Sequence, residues 1–376
     1  MSLNEQLISE AINRAAPDDA WRIEAPPPQS PAPIVMSVLK KRSKQIRIYE
    51  EAEVQQFEHE LESLSRNSDR RRASEALLKA LKEQAPIGYR DYARVPRDFC
   101  QRLERLESAF PNFRQAIHQI RLLLTLEKAG RNLLRLPPLL LVGEPGVGKT
   151  YFATEFAKAM RLECRVVHME NATSGMLLSG LEQFYATASP GMVFDALVKG
   201  RQANPILIVD ELDKVSTDPR QPPANALYQL LEPNTAKQFR DQSCLDLALD
   251  AGHINWMITA NDISIIPPPL LSRMTIVHVP SPTREERLQI AKQVYCDLRK
   301  ENGWGRHFEA NLSENASDLL ATIPGSVRRM QSVLRLAFAY AMDRQTKAVE
   351  LQDLNAALCA RRTINNLKLM EIQGHA

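Results

Sequence analysis

Apolar residues recur at helical spacing from about Glu50 to Gln84 (Val54, Phe57, Leu61, Leu64), and this predicts amphipathic helices that continue through Phe99–Ala109. Another helical run, Phe113–Leu126, leads to a break at Leu136-Pro137-Pro138. Beyond the break the pattern changes. Short runs suited to strands, Leu139–Val142, Cys164–Met169, Ile206–Val209, Ile254–Thr259 and Ile276–Val279, are separated by longer stretches, of which Thr150–Arg161 reads as a helix. Short unbroken apolar strands between helices are what a parallel sheet covered on both faces requires. From Thr283 the chain reads helical again, through Thr283–Lys300, Asn315–Ala321, Ser326–Met342 and Glu350–Cys359. The fold class is therefore α/β. A flexible N-terminus with a linker (1–36) and a helical region (37–110) precede an α/β domain (111–280), and a helical domain (281–376) follows. The linker reading rests on Ala25-Pro26-Pro27-Pro28-Gln29-Ser30-Pro31-Ala32-Pro33, whose prolines remove backbone donors and favour an extended chain.

Composition narrows the classes. The chain has 376 residues, 44% hydrophobic and 25% charged, with a net charge of +3 that implies neither a nucleic-acid nor a membrane partner. The basic clusters Lys40–Arg42 and Arg70–Arg72 lie among polar residues and read as solvated faces. Five scattered cysteines have no metal-ligand spacing and fit reduced thiols. Met1–Arg14 lacks the basic and apolar regions of a signal peptide, and no stretch approaches the ~20 apolar residues of a membrane helix. A soluble, cytoplasmic protein is expected.

The chemistry begins at Gly143-Glu144-Pro145-Gly146-Val147-Gly148-Lys149-Thr150, which fits G-x-x-x-x-G-K-[ST] between an expected strand and an expected helix. Glycines let the backbone turn tightly, so that successive N–H groups face phosphates at a helix N-terminus. Lys149 is placed to reach the β- and γ-phosphates of ATP, and the Thr150 hydroxyl to ligate Mg²⁺. Ile206-Leu207-Ile208-Val209-Asp210-Glu211 supplies a second half: Asp210 as the Mg²⁺ partner of Thr150, and Glu211 as the group that orients and deprotonates water. An acidic pair after a strand is weak evidence alone and gains its meaning from the phosphate loop.

Two further residues follow in order. Trp256-Met257-Ile258-Thr259-Ala260-Asn261 ends in an asparagine expected between the acidic strand and the phosphate-loop strand, facing the γ-phosphate. Asparagine also favours a plain strand-to-loop turn. Arg273, after Pro267-Pro268-Pro269-Leu270-Leu271-Ser272, is a candidate finger for a neighbouring subunit's γ-phosphate, or else a surface salt-bridge partner. His168, His253 and His278 flank strands and read as structural.

The ensemble resembles an AAA+ ATPase, and more narrowly the ATPase module of Lon proteases over roughly Phe110–Cys359. The resemblance is carried by the phosphate loop, Ser179–Met192, Asn204-Pro205, Asp210-Glu211-Leu212-Asp213-Lys214, Ala226–Asn234, Phe239-Arg240-Asp241, Thr259-Ala260-Asn261, Ile266–Met274 and Ser326-Val327-Arg328. It implies a P-loop AAA+ core with a helical lid. Asn261 matches the sensor-1 residue, Arg273 the arginine finger, Arg328 the sensor-2 arginine of the lid, and Tyr185 the aromatic of a pore loop that grips extended polypeptide. A packed loop aromatic is an equal reading of Tyr185. Three departures stand out. Ala186 replaces the usual β-branched residue, and the stretch before Arg273 is one residue longer. The Ser–Lys peptidase domain is expected to be missing beyond Ala376.

The resemblance implies a homo-oligomeric ring, expected as a hexamer, that hydrolyses ATP with Mg²⁺ to remodel or thread a protein substrate without intrinsic proteolysis. The alternatives are a nucleotide-gated scaffold or regulator of a partner complex and, behind it, a DNA-handling AAA+ ATPase that only the basic stretch Lys40–Arg47 keeps open.

Overall fold

The computed structural model describes residues 45–63, 69–169, 176–181, 189–214, 225–323 and 326–360. The proline-rich stretch and Tyr185 lie outside them. The described chain enters through β1 (Gln45–Arg47), antiparallel to β2 (Tyr89–Asp91), with helices α1 (Glu51–Glu62) and α2 (Asp69–Lys82) between the two. Val54, Phe57 and Leu61 fall on the buried stripe of α1, as their spacing of three and four requires.

This N-terminal piece shares a hydrophobic core with the sheet, so the described residues form one compact unit. Arg90 shows how tightly. Its guanidinium is buried, 5.5 Å from the Tyr49 ring, and donates to Val198 O (2.6 Å) and to the Tyr49 hydroxyl (3.2 Å). Backbone bonds from Asp250 N to Ile48 O and from Ala203 N to Asp91 O complete the seam.

Helices α3 (Phe99–Ala109) and α4 (Arg114–Ala129) lead to β3 (Leu139–Val142), the phosphate loop and α5 (Lys149–Met160). Then come β4 (Cys164–His168), β5 (Ile206–Asp210), α6 (Asn225–Leu230), the hairpin β6 (Phe239–Asp241) and β7 (Cys244–Leu249), β8 (Asn255–Ala260) and β9 (Thr275–His278). Five strands form a parallel sheet in the order β4-β5-β8-β3-β9. The inner strands β3, β5 and β8 are buried at every position, and the edge strands β4 and β9 are partly exposed. That explains the sequence pattern: helices cover both faces, so the inner strands are apolar without alternation. Each fully buried aliphatic side chain there contributes roughly 1.5–3 kcal/mol.

Two buried asparagines fix the starts of the inner strands. Asn204 accepts from Ala93 N (2.8 Å) and donates to Leu134 O (2.7 Å), and Asn255 accepts from Leu136 N (2.8 Å) and donates to Asn204 O (2.9 Å). Each such bond satisfies a backbone group that burial would otherwise strand. The carboxyl ends of the strands are thereby set at one edge of the sheet, where open α/β folds hold ligands.

The last part is helical: α7 (Arg284–Glu301), α8 (Glu314–Thr322), α9 (Val327–Asp343) and α10 (351–360). Thr283 and Glu286 form a capping box that starts α7. Tyr295 stacks on Phe338 with centroids 5.1 Å apart, and Arg344 grips the buried Asp353 through two bonds of 2.8 and 2.7 Å. Among the described residues no helix is long and apolar enough to cross a membrane.

Candidate nucleotide site

The loop Gly143–Gly148 turns from β3 into α5. Gly148 caps the helix at φ +101°, a left-handed conformation that a side chain strains. At Gly143 a Cβ would lie 2.3 Å from Val279 O, so only hydrogen fits against the strand end of β9. Helix α5 follows because Phe152, Ala153, Phe156, Ala157 and Met160 form one buried stripe, and Phe113 stacks on Phe152 at 4.4 Å.

Lys149 is buried beneath this turn. Its Nζ donates to Gly143 O (2.7 Å), Glu144 O (3.0 Å) and Asn261 Oδ1 (2.9 Å). Burial pulls its pKa below the ordinary lysine value, while the Asp213, Asp210 and Glu211 carboxylates oppose that fall. Asn261 reaches Lys149 because β8 lies between β5 and β3, the position its place in the chain predicts.

Asp210 organises the other side. Its Oδ1 accepts from the Thr150 hydroxyl and from the Thr259 hydroxyl (2.7 Å), and its Oδ2 lies 3.1 Å from His168 Nδ1. Thr259 Oγ1 in turn accepts from Glu211 N at 2.9 Å. Glu211 has φ +57°, a conformation that costs a non-glycine residue about 1–3 kcal/mol and that the Thr259 bond helps to hold. The Glu211 carboxylate is paired with Lys214 at 2.8 Å. From sequence, Thr259 has no role and His168 reads as structural. The signal for Thr259 is a hydroxyl in an otherwise almost wholly apolar strand. The signal for His168 is β4–β5 pairing, which sets it directly beside Asp210 and needs the sheet order to be seen.

Lys149, Thr150, Asp210, Glu211, Asn261 and Arg328 all line one cavity of about 610 Å³ at this sheet edge. Arg328 comes from the start of α9, so the helical domain closes one side. Arg273 does not line it. Its guanidinium donates to Pro269 O and lies 5.8 Å from the Tyr228 ring. A second cavity of about 470 Å³ adjoins it, sharing Gly148, Tyr151, Glu155, Lys158 and Val327, between α3, α5 and α7. Burial pushes the Tyr151 hydroxyl up to about 12.

Among the described residues no cluster of three or more His, Cys, Asp or Glu could hold a metal by itself. The Thr150 hydroxyl and Asp210 carboxylate are hard oxygen donors in contact, and such a set suits Mg²⁺ shared with phosphate oxygens. Tyr185 is outside the described residues, but Leu181 and Ser189, which flank that stretch, are within them. Leu181 N donates to Ser189 O (2.9 Å), and the buried Asp241 of β6 accepts from Gly191 N (2.9 Å), Ser243 N (2.9 Å) and Ser243 Oγ (2.6 Å).

Residues 139–281 match the ATPase family associated with various cellular activities (AAA). The chain is 38% identical over 155 residues to the peroxisomal Lon protease homolog 2 of Zea mays, covering 41% of this chain and 17% of that protein. It is 31% identical over 229 residues to the Lon protease of Acinetobacter baumannii, covering 59% and 28%. The chain thus matches less than a third of the length of these relatives. Among solved structures, a Thermotoga maritima RuvB mutant aligns with a TM-score of 0.46 at 16% identity, over 66% of this chain and 69% of that one.

Proposed function

From a chain that carries an AAA-family module similar to the Lon ATPase region, we propose hydrolysis of ATP to ADP and phosphate in the cavity at the carboxyl ends of β3, β5 and β8. One observation carries the reading. Lys149 bonds Asn261 and Thr150 bonds Asp210 in one cavity that Glu211 also lines, so groups suited to hold phosphate, hold a cation and activate water face one space.

In this reading the loop N–H groups and Lys149 hold the phosphates, and Lys149 exchanges its carbonyl partners for phosphate oxygens. Thr150 and Asp210 hold Mg²⁺, whose charge offsets that on the phosphate oxygens. Glu211 takes the proton of the attacking water once it leaves Lys214, and Asn261 orients that water. Arg328 touches the γ-phosphate from the helical domain. The adjoining cavity, with Asn112, Val147, Tyr151, Ile290 and Val294, receives the base against apolar walls.

The same reading extends to assembly. Arg273 does not line its own chain's cavity, and this favours action on a neighbour's nucleotide in a homo-oligomeric ring, with a hexamer as the expected size. Tyr185 then faces a protein substrate that ATP turnover threads or remodels, in the cytoplasm. Peptide-bond hydrolysis is not part of the proposal. Lys149→Ala should abolish binding of a fluorescent ATP analogue, and undiminished binding would contradict the site. Tyr185→Ala should retain ATP turnover and lose remodelling of an unfolded protein. Full remodelling in that variant would contradict threading by Tyr185, whereas the second reading, a nucleotide-gated scaffold, is favoured if Glu211→Gln traps ATP and binds a partner protein only in that state.

A further inference from the structure

An ionised carboxylate can only accept hydrogen bonds, so the His168 nitrogen that faces Asp210 must carry the ring proton. That nitrogen is Nδ1. With the proton on Nδ1, the imidazole lone pair is on Nε2, and this half-exposed side chain lines the same cavity as Lys149 and Glu211. The other Asp210 oxygen already accepts from Thr150 and Thr259. Asp210 is thus held from both sides: two hydroxyls on Oδ1 and one imidazole on Oδ2. The pairing is built into the backbone, since His168 and Asp210 are register partners at the ends of adjacent parallel strands.

We propose that His168 is a positioning residue of the divalent-cation site, holding the Asp210 carboxylate through Nδ1 and presenting Nε2 as an acceptor to a metal-bound water. The inference rests on the ATP–Mg²⁺ reading and adds to it a residue outside the loop and the acidic pair. Groups that orient a metal ligand from behind typically alter metal affinity 10–100-fold. With one oxygen released, the carboxylate of a His168→Ala chain can turn about its terminal bond, and a water loses its acceptor. Phosphate binding by the loop and Lys149 does not involve this contact. His168 is therefore expected to act on the metal-dependent part of nucleotide affinity alone.

The test titrates the full chain with N-methylanthraniloyl-ATP, once with EDTA and once with Mg²⁺. In the unaltered chain Mg²⁺ should tighten binding. In His168→Ala the metal-free Kd should stay within about twofold while the gain on adding Mg²⁺ falls about tenfold. His168→Asn should recover much of that gain, because its amide also offers a donor to Asp210. An equal gain from Mg²⁺ in His168→Ala overturns the inference, as does equal weakening with and without Mg²⁺, which marks a structural role. Failure of the unaltered chain to bind the analogue at all removes the ATP reading itself, a result distinct from either.

Discussion

At the scale of single residues the site depends on groups that have no substitute. Thr259 is fully buried and its hydroxyl bonds both Asp210 Oδ1 and Glu211 N. Thr259→Val keeps the volume and removes both bonds, so it should cost about 1–3 kcal/mol of stability. Denaturant unfolding measures this, and an unchanged midpoint would contradict it. Gly148→Ala puts a side chain on a residue at φ +101°, and nucleotide binding should be lost while most of the core remains. What was legible at this scale followed from chain order: Lys149, Thr150, Asp210 and Glu211 stand in a pattern whose chemistry is fixed by spacing. His168 was not, because a histidine after a strand reads as structural until β4 is known to pair with β5.

At the scale of elements, the inner strands β3, β5 and β8 could be read because burial on both faces leaves short, mostly apolar runs with nothing else to mean. The three-residue strands β1, β2 and β6 could not, since so short a segment has no period and Arg90 and Asp241 look like surface charges. Both are buried. Asp241 shows the consequence. Burial raises its carboxyl from 3.8 to about 6, against the hydrogen bonds from Ser243 and Gly191. Between those values the unfolded chain has released a proton that the folded chain keeps, so stability falls as pH rises through this window. Asp241→Asn does not titrate. From about pH 4 to pH 6.5 its stability relative to the unaltered chain should therefore rise by about 2 kcal/mol. Melting curves of both chains across this range test the sign, and a constant difference would contradict it.

At the scale of the whole molecule, the proposed enzyme is completed by its neighbour. Arg273 lies outside the cavity that its own chain builds, so Arg273→Ala should bind ATP normally and hydrolyse it slowly, by a factor on the order of 10³. Mixing Arg273→Ala with Glu211→Gln chains should restore part of the turnover, because some interfaces then pair an intact base with an intact arginine. The helical N-terminal piece was visible in the periodicity around Val54 and Phe57, but its fusion to the sheet core was not. That fusion depends on Arg90 and Tyr49, which meet groups far away in sequence. The central claim remains hydrolysis at the cavity shared by Lys149 and Glu211. Phosphate release from Mg²⁺–ATP, measured beside nucleotide binding for the unaltered chain and Glu211→Gln, tests it most directly. The unaltered chain should release phosphate steadily, and the variant should retain binding with release lowered by a factor on the order of 10²–10⁴. Release at the same rate from both chains would contradict it.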